Sequence, residues 1–253
     1  MRLLAAGSGA VSWLVIAAMA AALALSVSPA RATELVINSG RKEPFTTPDG
    51  RGFYDILVKA LFERLGMEAV CVRLPSERAL INANEGIDDG NIARIAGLEK
   101  KYPNLVRVPG KIIDFEFMVF TRDADFAVDG WESLAPYSIG FITGWKIFEK
   151  RITRARNITR VRNPGQLFTL LSNRRADVVM FDRWGGQWWI QTHHLDAHAL
   201  EPPVATREMF LYLNRRHQAL VPRLSEALAQ MKADGEYQRI YARTLTPLLG
   251  NNH

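Results

Sequence analysis

With 253 residues, 48% of them hydrophobic, the chain can bury one large core or two modest ones, which excludes disorder and any need for a disulfide or metal staple. The formal charge is +6, from 32 basic and 26 acidic residues. Basic pairs such as Arg41-Lys42, Lys100-Lys101, Arg174-Arg175 and Arg215-Arg216 are scattered along the sequence without interleaved aromatics, so they read as solvated faces and not as a nucleic-acid groove.

The N-terminal stretch starts with one cation, Arg2, runs through almost wholly apolar or small residues at 11–27, and ends in Pro29-Ala30-Arg31-Ala32. A weakly positive start, an apolar centre and small residues where a signal peptidase reads make a secretory leader. Residues 1–32 are therefore expected to be removed before Thr33, leaving a periplasmic protein with 30 basic and 26 acidic residues, a mild +4. An uncleaved anchor is the alternative, because the apolar run approaches the length that spans a bilayer.

Glu34-Leu35-Val36-Ile37-Asn38 reads as a short buried strand, and Pro44, Pro48, Asp49-Gly50 and Gly52 mark a long loop after it. Ile56, Leu57, Ala60, Leu61 and Leu65 then recur at helical spacing up to Gly66, placed as a left-handed terminator. Residues 69–74 return as a strand, in which the lone Cys71 fits better as a small buried hydrophobe than as a reactive thiol. Pro75-Ser76 opens a helix over 77–84 with Ser76 as its N-cap. This strand–helix alternation predicts an α/β architecture, a mainly parallel sheet covered by helices on both faces.

A second set runs from a strand at 137–142 through Thr143-Gly144 into a helix at 145–151. Asn163-Pro164-Gly165 opens a further helix through Leu171, and residues 176–181 form an apolar strand. The extended apolar stretches 115–121 and 208–213 are suited to cross between the two sets. Residues 214–243, with Leu220, Leu224, Leu228 and Met231 at helical spacing, close the chain.

Open α/β sheets bind small molecules outside the carboxyl ends of their strands, where loops and helix N-termini present free N–H groups. Five places qualify: loop 43–54, the Pro75-Ser76-Glu77-Arg78 turn, segment 89–94, the Thr143-Gly144-Trp145 turn, and Asp182-Arg183. Phe45 and Tyr54 either cover an apolar part of a ligand or pack within their loop. Arg78 and Arg94 either grip a carboxylate bidentately or pair with Glu77, Asp88 or Asp89. Asp182 suits an ammonium group, with pairing to Arg183 as the alternative. His193, His194 and His198 have no partner at metal spacing beyond Asp196, so no metal is expected. Trp184, Trp188 and Trp189 read as packing a helix onto its sheet, and Ser76-Glu77 lacks the G-x-S-x-G context of a hydrolase nucleophile.

Taken in order, several segments resemble the family 3 extracellular solute-binding proteins, the receptors of polar amino-acid ABC transporters. Pro44-Phe45 with Gly52-Phe53 is similar to the family's P-P-F…G-F-D segment, and Asp89-Gly90 to its G-x-x-D turn. Tyr137-Ser138-Ile139-Gly140 with Gly144 resembles the strand and turn that open the second lobe. Arg175-Ala176-Asp177-Val178-Val179-Met180-Phe181-Asp182 resembles G-R-x-D-A-x-x-x-D, and Asp234-Gly235 through to Tyr241 resembles the terminal helix. Two segments depart: Gly52-Phe53-Tyr54-Asp55-Ile56 stands for G-F-D-x-D, and Gly90-Asn91-Ile92-Ala93-Arg94 for the S/T-x-x-R that supplies a carboxylate-binding Arg.

The resemblance implies a two-lobed periplasmic-binding-protein fold of type II, its lobes joined by two crossing strands and closing like a hinge. Lobe one would be 33–120 with 210–253, and lobe two 121–209. It implies that Asp182 holds a ligand ammonium, that Arg94 stands in for the carboxylate-binding Arg, and that Thr143 and Gly144 donate hydrogen bonds; Ser76 lies in the lobe-one turn. The implied activity is capture of an amino acid or related organic acid or amine, without cofactor, nucleic acid or chemistry on the ligand. The implied partner of the monomer is an inner-membrane ABC permease or a membrane sensor. Cyclohexadienyl dehydratases resemble the same fold, so an enzyme is the alternative.

Overall fold

The computed structural model describes residues 34–250, and the expected leader lies outside them. Its first unit is built on β1 (Leu35–Ser39), which pairs in parallel with β2 (Ala69–Arg73) and β3 (Gly90–Arg94). Its second is built on β6 (Ser138–Ile142), which pairs in parallel with β7 (Asn157–Val161) and β8 (Val178–Asp182). Both central strands are buried on both faces, which is why they read as unbroken apolar runs instead of alternating ones.

Two long strands join the units. β5 (Ile113–Thr121) lies antiparallel to β8, and β9 (His198–Asn214) runs antiparallel to β5 over most of its length and then to β3 and to the short β4 (Leu105–Arg107). The sheet order β2-β1-β3-β9-β5-β8-β6-β7 is therefore mixed. The expectation of a mainly parallel sheet holds only within each unit; the strands that link the units add antiparallel pairs, and their length is what lets 115–121 and 208–213 reach both. β4 and β7 were not legible, because the first is three residues long and the second is a half-exposed edge strand.

Seven helices cover the sheet among the described residues: α1 (Phe53–Glu63), α2 (Ser76–Glu85), α3 (Lys146–Arg151), α4 (Pro164–Ser172), α5 (Arg183–Thr192), α6 (Val221–Ala233) and α7 (Glu236–Thr244). None is long and apolar enough to cross a membrane. Asn163 caps α4 by accepting the Gln166 amide at 2.9 Å. Ser76 is not the cap of α2: Pro75 holds that position and Ser76 is the first helical residue, its hydroxyl 3.4 Å from the Gly40 carbonyl. The C-terminal segment splits into a 3₁₀ turn (Arg215–Leu220), α6 and α7, the last two separated by Gly235 at φ 81°, a left-handed conformation that glycine adopts without strain.

Equivalent carboxylates tie the bases of the two units. Asp89, just before β3, accepts the Val36 amide of β1 at 2.8 Å and pairs with Arg216 and His217 at 2.5 and 2.6 Å. Asp177, just before β8, accepts the amide and hydroxyl of Ser138 in β6, both at 2.6 Å, and pairs with Arg156 at 2.6 Å. Burial works against the ionised form at both places, yet these donors outweigh it and hold both carboxyls below the usual range. Asp89 and Asp177 are thus structural devices. Cys71 is half-buried with its sulfur 3.8 Å from the Thr46 hydroxyl, and burial beside Asp55 pushes the thiol up to about 12, which disfavours the thiolate.

Candidate functional site

The loop after β1 turns where the Ser39 hydroxyl accepts the Arg41 amide at 3.1 Å. It is then pinned by Asp55, whose carboxylate accepts the amides of Thr47 and Gly52, both at 2.9 Å. These bonds bring Phe45 down onto Tyr54, ring centroids 4.8 Å apart and nearly parallel, in full burial. They also send Arg41 across to the second unit. Its guanidinium lies 4.2 Å from the ring centre of Phe115 on β5 and 5.2 Å from that of Trp145, the residue that starts α3. Arg41 is half-buried and forms no ion pair among the described residues; the groups its guanidinium contacts are aromatic faces.

Facing this cation is Asp182, at the end of β8 and 4% exposed. One of its oxygens accepts the Gly185 amide at 2.8 Å and so caps α5. Burial raises its carboxyl above the usual range, while the positive charge of Arg41 and the Gly185 amide pull the other way. Asp182 does not pair with Arg183, which turns outward to Glu116 and Glu201. Around these two groups lies a cavity of about 250 Å³, walled by Phe45, Trp145, Phe181, Trp188 and Trp189 and edged by Ser76 and Arg162. It sits at the carboxyl ends of β1, β6 and β8, where open sheets bind ligands, and it is near the small end of ligand pockets, roughly 300–1,000 Å³.

Of the residues singled out from sequence, Phe45, Ser76 and Asp182 line this cavity. Tyr54 lies behind Phe45, and its hydroxyl is buried without a hydrogen-bond partner. Burial pushes this phenol well above its ordinary value; Arg41 lowers it and Asp182 raises it further. A buried unpaired hydroxyl costs about 1–3 kcal/mol. Tyr54→Phe is accordingly expected to raise the thermal midpoint of the empty protein, and a lower midpoint would mean that the hydroxyl is hydrogen-bonded in solution.

Arg94 ends β3, just after Ala93 at φ 63° and a register shift against β9, a bulge that re-aims the side chain. It donates to the Ser76 carbonyl at 2.8 Å and to Asn91, and pairs with none of Glu77, Asp88 and Asp89. Burial, then repulsion from Arg41, lowers it to about 10. It stands beside the cavity, behind Ser76. Arg78 is exposed on α2 and away from the cavity. Thr143 and Gly144 are also exposed, and their amides are already bonded to the Val161 carbonyl at 2.9 Å and to Glu149 at 2.8 Å.

Sequence reasoning missed Arg41, which it placed on a solvated face; the structure corrects this to a half-buried cation over two neighbouring rings. The usable signal was its position two residues beyond a buried strand. Of the three tryptophans, Trp184 packs edge-on against Tyr241, whereas Trp188 and Trp189 line the cavity. No cluster of His, Cys, Asp and Glu suited to a metal occurs among the described residues.

No protein-family model matches the chain. A protein of Shewanella oneidensis is 25% identical over 180 residues, which is 66% of this chain and 66% of that protein. Solved structures cover more. The second substrate-binding domain of an amino-acid ABC transporter from Streptococcus pneumoniae superposes with a TM-score of 0.65 at 18% identity, over 83% of this chain and 99% of that domain. An ancestral cationic amino-acid solute-binding protein superposes at 0.69 and 18%, over 84% and 95%. The glutamate-bound ligand-binding core of a receptor from Nostoc punctiforme superposes at 0.66 and 16%, over 83% and 98%. The chain has the two-lobed α/β fold of the type II periplasmic binding proteins, as its resemblance to the family 3 solute-binding proteins implied.

Proposed function

We propose that this protein is a periplasmic receptor that captures a small zwitterionic solute, an amino acid or close relative, and delivers it to an inner-membrane ABC transporter. The observation that supports it most is the opposed pair in the cavity: Arg41 and Asp182 face each other, and neither forms an ion pair among the described residues. A ligand carboxylate satisfies the first and an ammonium the second. Arg94 adds positive potential behind Ser76, and the tryptophans cover an apolar or planar side chain. Three superposed proteins, an arginine-binding protein, an ancestral one holding glutamine and the glutamate-bound core, support the substrate class. Native mass spectrometry of protein recovered from the periplasm tests the reading: a bound amino acid is expected, on a chain beginning at Thr33. A chain that neither retains nor binds any amino acid overturns it.

In this reading lobe one is 33–120 with 210–253 and lobe two is 121–209, and they hinge on β5 and β9. Small-angle scattering is expected to show a smaller radius of gyration with solute than without, and equal radii at saturation would remove the hinge.

The raised Asp182 carboxyl gives the pH dependence its sign. Below its pKa the empty site holds a proton that an ammonium must expel, so affinity rises with pH up to that pKa and is flat above it. Calorimetry in buffers of different ionisation enthalpy is expected to show proton release on the acidic side. Binding without proton release there would mean that the ligand group at Asp182 is neutral. The same carboxyl supports a second reading, a dehydratase that uses Asp182 as proton donor; the superposed ancestral solute-binding protein, itself an amino-acid-binding protein, is a precursor of cyclohexadienyl dehydratase. Ligand that leaves the protein lighter by one water would establish it.

A further inference from the structure

The basic excess of the chain is not spread over its surface. Residues 146–175 hold nine basic residues and one acidic one, a formal +8, while the rest of the chain from Thr33 onward is formally −4. The segment forms α3, β7 and α4, with β7 the outer edge of the sheet. Three of its cations are paired, Lys146 with Glu149, Arg156 with Asp177 and Arg174 with Asp123. The other six, Lys150, Arg151, Arg154, Arg160, Arg162 and Arg175, are exposed and have no carboxylate partner among the described residues. Arg160, Arg162 and Arg175 line one open hollow of about 600 Å³ whose wall contains no acidic side chain.

We infer that this face docks the protein onto the phosphate surface of an anionic phospholipid bilayer. Five of the six unpaired cations are arginines, whose planar fork matches phosphate oxygens. The face also lacks what a protein partner would need. Among the described residues the exposed large apolar side chains are Val72, Ile81, Ile87, Ile95 and Leu249, all outside it, and the apolar residues of this face, Ile147, Ile158, Val161 and Leu170, are partly buried, so charge and not apolar area is what it offers a partner. A lipid headgroup surface needs only charge. The scattered basic pairs of the sequence are here corrected: Arg174-Arg175 joins a continuous basic edge because the α3–β7–α4 fold brings it beside Arg156 and Arg160.

The inference takes from the proposed function only the periplasmic location, which sets the lipid source. Co-sedimentation of the secreted protein with vesicles of equimolar phosphatidylglycerol and phosphatidylcholine is expected to show binding that pure phosphatidylcholine vesicles do not. Binding should vanish when salt shortens the Debye length to about 3 Å, near 1 M. Arg154→Gln, Arg160→Gln and Arg175→Gln together are expected to weaken it by about a hundredfold, since each cation contributes several-fold at an anionic surface. Neutralising three cations elsewhere, Arg73, Lys100 and Arg207, should leave it unchanged. Arg41→Gln should also bind vesicles normally, so loss of solute capture and loss of docking are read separately. Equal binding to neutral vesicles, equal loss in the control triple, displacement by millimolar inorganic phosphate, or tighter binding to a DNA duplex than to the anionic vesicles would each overturn the assignment.

Discussion

Arg41→Gln is expected to weaken solute binding by roughly 30-fold to several-thousand-fold, the equivalent of about 2–5 kcal/mol for removing one side of a desolvated charge pair. The guanidinium lies over the faces of Phe115 and Trp145 and forms no ion pair among the described residues, so its charge is available to the solute's anionic group. Glutamine keeps much of the length and some donor capacity while deleting the charge. Folding should be little affected, because two partly solvated cation–π contacts are worth only about 0.5–1 kcal/mol each. Calorimetry with the solute released from the native protein, alongside thermal melts, makes the comparison. Unchanged affinity would mean that Arg41 is not the anion site; Arg94→Gln would then be the variant to lose binding.

Gly186→Ala is expected to lower stability by about 1–3 kcal/mol, the range for overpacking a core. In a domain of this size that is roughly 2–12 °C of thermal midpoint. α5 lies so close to β5 that a methyl group at Gly186 would come within 2.0 Å of the Phe120 ring, which is fully buried and packed edge-on against Phe168. The ring or the helix must therefore shift, and the ring is already buried against Phe168. Because α5 begins at Asp182 and carries Trp188 and Trp189, solute affinity should fall together with stability. A variant that melts like the parent would show that α5 can move away from the sheet without loss.

The proposed α/β architecture was readable because its determinants are local. Short β-branched apolar runs such as Val178-Val179-Met180 favour strands buried on both faces, and Asn163-Pro164 can cap a helix wherever it lies. Asp182 was legible for the same reason, since the mouth of a buried strand is a position defined along the chain. Arg41 was not. Its place just beyond a buried strand was the local signal, and Arg78, which follows β2 and remains exposed on its helix, shares it; what separates them is that β5 and the start of α3, about 70 and 105 residues further on, put Phe115 and Trp145 against the Arg41 guanidinium. Charge pairing behaves likewise. Asp89 was weighed as a partner for Arg94, five residues away, but pairs with Arg216 and His217 because β9 returns beside β3. The sequence by itself determined the buried strands, the main helices and which residues lie at those strand ends, through periodicity and capping, but not β4, β7 or the cap of α2. Tertiary structure alone decided which charges face the cavity, which are consumed in the frame and which gather on the basic edge, because electrostatic partners are chosen by distance in space, and the crossing of β5 and β9 sets those distances.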